Sequence, residues 1–200
     1  KERKSRLATY KLNKEVEGGL NMNCGGNLQV FIEVFNPKPT VLLIGGGHVN
    51  YALSKLVNFL DLDLIVADDR EEFCSPERFP TAKKLIVVKD YTQELNELNI
   101  NEDYYVVIAT KNDDRAALEG VIKSNAKYVG MIGSKRKVKK MFDTLLEKGY
   151  SQEELNRIYA PMGLDIEAET PEEIAISIMG EMIRITNGGG GQSLVELRNF

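Results

Sequence analysis

The chain has 200 residues, a net charge of −4 from 26 basic and 30 acidic side chains, and 42% hydrophobic content, which is one ordinary domain, or one domain plus a small appendage, with enough apolar material for a core. The mildly acidic balance argues against nonspecific nucleic-acid binding, no apolar run reaches the roughly 18–20 residues that span a bilayer, and no basic-then-apolar leader opens the chain. Two separated cysteines, Cys24 and Cys74, indicate neither a disulfide framework nor a zinc knuckle, so a reducing, cytoplasmic setting is expected.

Residues 1–27 are polar, charged and glycine-bearing. Leu28-Gln-Val-Phe-Ile-Glu-Val-Phe35 mixes alternation with β-branched and aromatic residues and predicts a strand. Asn36-Pro-Lys-Pro39 is a stiff break, so an N-terminal appendage over 1–39 is expected. From Thr40 onward apolar strands (41–44, 64–67, 85–88, 104–109, 127–130) alternate with amphipathic helices (49–60, 113–124, 135–148), with a short helix after Tyr91. Such alternation predicts an α/β fold, a Rossmann-like doubly wound parallel sheet of strand order 3-2-1-4-5 over 40–186. Ser151-Gln-Glu-Glu154 is a capping box opening a short helix to about Ile158. Thr170-Pro171-Glu172-Glu173 is a stronger start signal for a helix that ends at Asn187 and the glycine run 188–191. A flexible tail is expected over 187–200.

The chemistry concentrates at strand ends. Val41-Leu-Leu-Ile-Gly45-Gly46-Gly47-His48-Val49-Asn50 runs a buried strand into a glycine turn and a helix, which offers backbone N–H groups at the positive end of a helix to a phosphate. Gly45 and Gly47 fill the first two glycine positions of a dinucleotide turn, and Asn50 replaces the third. His48, the sole histidine, is placed to donate to a phosphate or act as an acid or base, or else to sit buried against backbone. Asp68-Asp69-Arg70 ends the second strand, where a carboxylate accepts from ribose hydroxyls; Asp68 has the better register and favours NAD over NADP, while Arg70 blurs that preference. The alternative is a solvated turn.

A second glycine-bearing turn, Gly130-Met-Ile-Gly133-Ser134-Lys135-Arg136-Lys137, reaches the same rim. Lys135 and Arg136 are candidate ligand contacts, Ser134 is a natural N-cap, and Lys137 and beyond read as a solvated helix face. Lys111-Asn-Asp-Asp114 follows the fourth strand, where cofactor chemistry often occurs, and Asp113 reads either as part of that chemistry or as the cap of the next helix. Ala160-Pro-Met-Gly163-Leu-Asp165 suits a loop folded over the crevice, with Asp165 either facing it or anchoring the turn. Cys24 beside Gly25 and Gly26 is either an inert thiol or an exposed one of lowered pKa.

Taken together, the segments NCGGNLQVFIEVF, LLIGGGHV, ADDREEFCSPERFP, YVGMIGSKRK and APMGLDIEAETPEEIAISIMGEMI resemble the XdhC/CoxI family, accessory proteins of xanthine dehydrogenase and related molybdenum hydroxylases. The resemblance covers most of residues 20–186. It implies a chaperone, often dimeric, that binds molybdenum cofactor (molybdopterin), assists its sulfuration and passes it to the apo-hydroxylase. A cysteine desulfurase is an implied further partner, nucleic acid and membrane are not, and Cys24 becomes a cofactor-proximal thiol. Three departures stand out. Asn50 replaces a small residue, the turn after the fourth strand (Thr110-Lys-Asn-Asp-Asp114) lacks the family's histidine, and most of the family's opening segment upstream of CGG is missing. If that segment contributes to the cofactor pocket, the chain is expected to hold at most part of the pocket or to need a partner for the rest. Two other functions fit the glycine turn and Asp68: an NAD(P)-binding oxidoreductase, and a nucleotide-sensing module without chemistry.

Overall fold

The computed structural model describes residues 5–12, 26–35 and 37–198; Cys24 and its reading lie outside the described residues. The chain divides into two compact units, Lys1–Pro37 and Lys38–Phe200. In the first, β1 (Arg6–Lys11) pairs antiparallel with β2 (Asn27–Ile32), Arg6 opposite Ile32 and Lys11 opposite Asn27. The pattern over 28–35 anticipated β2. It did not anticipate β1, whose Arg-Leu-Ala-Thr-Tyr-Lys has little apolar alternation and takes its extended form from cross-strand pairing.

The second unit runs β3 (Thr40–Ile44), α1 (His48–Phe59), β4 (Asp63–Asp68), a 3₁₀ turn Glu71–Phe73, β5 (Lys84–Val87), α2 (Tyr91–Asn96), β6 (Tyr104–Ile108), α3 (Asp114–Val121), β7 (Tyr128–Met131), α4 (Lys135–Glu147), α5 (Gln152–Asn156), β8 (Ile158–Tyr159) and α6 (Pro171–Asn187). Its strands form one parallel sheet in the order β5-β4-β3-β6-β7-β8. This is the expected doubly wound order with one addition. β8 is two residues long, pairs Ile158 with Val129 and Tyr159 with Gly130, and carries too little sequence for a periodicity. It also ends α5 at Asn156, short of the expected Ile158.

Both faces of the sheet are covered, so its central strands read as unbroken apolar runs. Along β3, Leu42 and Ile44 join the layer of α2, α3 and α4 through Leu95, Leu118, Val121, Val138 and Leu145. Val41 and Leu43 face the other layer, Leu53 and Val57 of α1 with Ile178, Met179 and Met182 of α6. Helix starts follow the local signals: Asp90, Ser134, Ser151 and Thr170 each accept a backbone N–H of their helix, the last two as full capping boxes. Gly188 closes α6 in the left-handed conformation. Among the described residues no helix is long and apolar enough to cross a membrane. Because β3 feeds β4 on one side and β6 pairs on the other, a crevice opens at the carboxyl ends of β3 and β6, the usual ligand position of such sheets.

Candidate cofactor-binding site

The glycine turn is locked from within. Gly45 adopts φ +99°, and its N–H donates to the Ala67 carbonyl at 2.7 Å. A Cβ there would stand 2.2 Å from the Ala109 oxygen, and one on Gly46 would stand 1.9 Å from the Phe73 oxygen. The Gly46 N–H donates to Asp68 Oδ2 at 2.6 Å, and Arg78 Nε donates to the Gly46 oxygen at 2.9 Å. Asn50, fully buried, holds the other end: its Nδ2 donates to the Gly45 oxygen at 2.7 Å and the Ile44 oxygen at 3.2 Å. A third glycine would allow close helix packing; here an amide ties the first turn of α1 to the end of β3.

Gly47 differs from its neighbours. Its φ of −66° suits any residue, and a Cβ on it would meet nothing within 4 Å. It occupies the N-cap of α1, where no side chain caps the helix. Among the described residues the N–H groups of Gly47, His48 and Val49 have no acceptor, so the positive end of a twelve-residue helix is left open. Gly47, His48 and Val49 line a cleft of about 430 Å³ with Arg70, Phe73, Ala109, Thr110, Lys111 and Ile132. His48 is exposed there, which removes the reading of a histidine buried against backbone.

Asp68 sits below the cleft rather than in it. Its side chain is 1% exposed. Oδ2 accepts from the Gly46 N–H and from Arg70 Nη2 (2.9 Å), and Oδ1 accepts from the Arg70 N–H and Nε (both 2.9 Å). Four donors fill the carboxylate, so it braces the turn where the register alone had it accepting from a ribose. Burial pushes its pKa up, but the Arg70 side-chain hydrogen bonds and the two backbone N–H groups outweigh that and hold it below the ordinary carboxylate value. Asp69 is half exposed, and Tyr91 Oη donates to its Oδ1 at 3.2 Å. The Arg70 guanidinium lies 3.7 Å over the Phe73 ring, and both residues line the cleft.

The turn after β6 is fixed by Asp114, not by the expected Asp113, whose side chain makes no capping bond. Buried Asp114 accepts from the Thr110 N–H (2.8 Å) and Oγ1 (2.7 Å), and from Lys137 Nζ at 2.6 Å. Lys137 is exposed, as expected of a solvated helix face, and its Nζ also spans to α3. Thr110 is held in the cleft wall by this network, with Lys111 next to it in the lining.

The second turn is built differently. Ser134 Oγ accepts the Lys137 N–H at 3.2 Å, so the start of α4 is capped by its own side chain. Gly133 lines a neighbouring cleft of about 290 Å³ with Pro161, Met162, Leu164 and Asp165, and Ile132 borders both clefts. Lys135 faces a separate groove beside Pro161, and Arg136 is exposed on α4. The Pro161 loop is pinned to α6: Gly163 N–H donates to buried Glu181 at 3.0 Å, Tyr128 Oη donates to the same oxygen at 2.8 Å, and Ser177 Oγ donates to the Leu164 oxygen at 2.6 Å. Burial, with the Glu181 charge behind it, pushes the Tyr128 phenol far up, so it stays a donor. Cys74 is buried with its thiol near the Val66 and Ile86 carbonyls, and burial pushes its pKa up, which makes it an inert core residue.

The two turns thus share a rim, meeting at Ile132; at the second the Ser134 side chain takes up the Lys137 N–H, whereas at the first no side chain caps the helix. Phe73, Arg78, Thr110 and Ile132 escaped the sequence reading as site residues, whereas Lys111 opened a segment that it had placed where cofactor chemistry occurs. Their signal lay in the ADDREEFCSPERFP and T-K-N-D-D segments, which do not reveal what they touch.

Comparison with known proteins places this geometry. The XdhC Rossmann domain family matches residues 41–182. The chain is 38% identical over 190 residues to the uncharacterized protein YqeB of Escherichia coli K12, covering 95% of this chain and 35% of that protein. It is 31% identical over 157 residues to a protein of Bacillus subtilis described as a probable xanthine dehydrogenase subunit, covering 78% of this chain and 45% of the relative. The chain thus spans less than half the length of either. A solved structure titled as a xanthine dehydrogenase from Bacillus halodurans superposes with a TM-score of 0.65 at 23% identity, covering 96% of this chain and 62% of that one, a likeness of fold. With its glycine turn, Asp68 brace and pinned Pro161 loop inside the matched span, the chain belongs to the XdhC Rossmann domain family.

Proposed function

We propose that this chain is the cofactor-holding Rossmann part of an XdhC-type accessory protein, one that binds molybdenum cofactor and assists its insertion into a molybdenum hydroxylase. The observation that carries the reading is the set of three open N–H groups on Gly47, His48 and Val49, in a cleft bordered by Arg70 and Lys111. Molybdopterin ends in a phosphate, and a phosphate suits such a turn. The residues present fit that end: the space over Gly47 is one a Cβ would fill, and the cations beside it are of the right sign. Gly47, His48 and Val49 bind the phosphate through backbone, and Lys111 balances its charge beside an Arg70 already paired with Asp68. The neighbouring cleft at Gly133 and Asp165 offers room for the rest of the group. When bound, the cofactor supplies the redox centre for the client enzyme, and the chain's own part is to bind, orient and release it. The Bacillus subtilis relative, described as part of a xanthine dehydrogenase, supports a hydroxylase as partner.

The occupancy of Asp68 favours this over an NAD-dependent oxidoreductase. A ribose diol needs a carboxylate with free acceptor positions, and those of Asp68 are filled by Gly46 and Arg70. Equilibrium titration of the purified protein with molybdenum cofactor and, separately, with NAD tests the choice. The expected result is binding of molybdenum cofactor at least tenfold tighter than NAD. Tight NAD binding with no binding of molybdenum cofactor overturns the reading.

A further inference from the structure

Arg78 lies outside the cleft lining, 32 residues from the glycine turn in sequence, yet it holds that turn. We propose that Arg78 is a positioning residue that aims the Gly47 N–H at the bound anion without touching the ligand. The inference rests on the reading of the Gly47, His48 and Val49 amides as an anion site.

The argument starts from the peptide plane. In a trans peptide the carbonyl and the following N–H point in opposite directions. The peptide between Gly46 and Gly47 is trans, and its carbonyl is fixed by Arg78 Nε at 2.9 Å. Fixing that oxygen on the protein side turns the Gly47 N–H toward the other side. The N–H of Gly46 is fixed by Asp68 at 2.6 Å, so the residue is gripped at both ends. Glycine needs such a grip more than other residues, because its backbone has the widest range of conformations. With Gly46 ungripped, the plane is free to rotate and the donor loses its aim.

The arginine is itself immobilised. Its guanidinium carbon lies 4.5 Å from the Tyr51 ring centroid, 5.1 Å from that of Phe73 and 5.7 Å from that of Phe79. Tyr51 stands on α1, whose start is the anion site, and Phe79 packs edge-on against it at 5.9 Å. The backbone of the same segment follows: the Arg78 and Phe79 N–H groups both donate to the Ser75 oxygen, at 3.2 and 2.9 Å. A planar cation in an aromatic cage, donating through its one secondary nitrogen, is a task lysine does not perform, since a methylene stands where Nε would be.

The test uses inorganic pyrophosphate as the probe, with the wild-type chain, Arg78→Lys and Arg78→Met. Three quantities are measured well below the melting temperature: the dissociation constant, its salt dependence, and the position of the Gly47 amide in ¹⁵N spectra. A positioning role predicts about tenfold weaker binding in both variants, a salt dependence equal to wild type, and a displaced Gly47 amide even without ligand. Wild-type affinity in Arg78→Lys, with loss confined to Arg78→Met, makes the residue a distant charge and overturns the inference. So does an unmoved Gly47 amide, and so does failure of both variants to fold, which returns a purely structural role. Absence of pyrophosphate binding in the wild-type chain overturns the anion-site reading instead, and the Gly47 amide then still decides whether Arg78 sets the turn.

Discussion

Alanine at Gly45 lowers the stability of the Rossmann unit by roughly 4 kcal/mol, the largest effect expected of any single substitution in the turn. Two causes add. The left-handed φ of +99° disfavours a Cβ by about 1–3 kcal/mol. The added carbon also stands 2.2 Å from the backbone oxygen of Ala109, a residue tied to the sheet by its own N–H, which donates to the Ile44 oxygen, so that backbone and not a flexible side chain would have to give way. Gly46→Ala suffers the second problem alone, against the Phe73 oxygen at 1.9 Å, and is expected to lose about 2–3 kcal/mol as the Phe73 segment is displaced. Thermal unfolding measures both, with a melting-temperature drop on the order of 10 °C for Gly45→Ala in a chain of this size. A drop under about 2 °C in either variant contradicts the geometry of the turn.

Asp68→Asn is expected to lose about 3–5 kcal/mol at neutral pH, because it leaves the Arg70 guanidinium, half-buried on Phe73, without its charge partner and the Gly46 N–H with a poorer acceptor. The pH dependence has a definite sign. The folded pKa of Asp68 lies below its unfolded value near 3.9. Its contribution is therefore fully present above about pH 4–5 and is lost as pH falls through the folded pKa. Urea unfolding from pH 7 down to pH 3 tests this: the gap between wild type and Asp68→Asn is expected to be constant at the upper end and to narrow at the lower. A gap that widens on acidification contradicts the assignment.

What the sequence discloses here depends on distance along the chain. The start of α6 was legible because Thr170, Pro171 and Glu173 act on one another within one turn. The sheet order was legible because Leu42, Leu43, Val106 and Val107 are buried on both faces and so leave unbroken apolar runs. The roles of Asp68 and Lys137 were not legible. Strand register places Asp68 at the rim, but its rotamer is set by a donor 22 residues upstream, and Lys137 reaches a carboxylate 23 residues away. Phe73 and Arg78 lie in a segment that carries the family resemblance, but a 3₁₀ turn and a loop have no periodicity to show what they touch, which is Gly46 and Tyr51 in the case of Arg78. β8 was missed for a related reason, since two residues cannot express a period.

The reading of the first turn as an anion site makes opposite demands on stability and binding at one atom. Gly47 sits at an uncapped helix start in a conformation any residue accepts, with open space over it. Aspartate there is a good N-cap, so Gly47→Asp is expected to keep or raise the stability by about 0.5–1 kcal/mol. The same carboxylate takes the free N–H groups and sets a negative charge where the phosphate belongs. Titration of Gly47→Asp with molybdenum cofactor, beside wild type and with the melting temperatures recorded, is the most direct test. The expected result is binding weakened about 100-fold, on the order of 3 kcal/mol, at an equal or higher melting temperature. Undiminished binding by a stably folded Gly47→Asp would contradict the account.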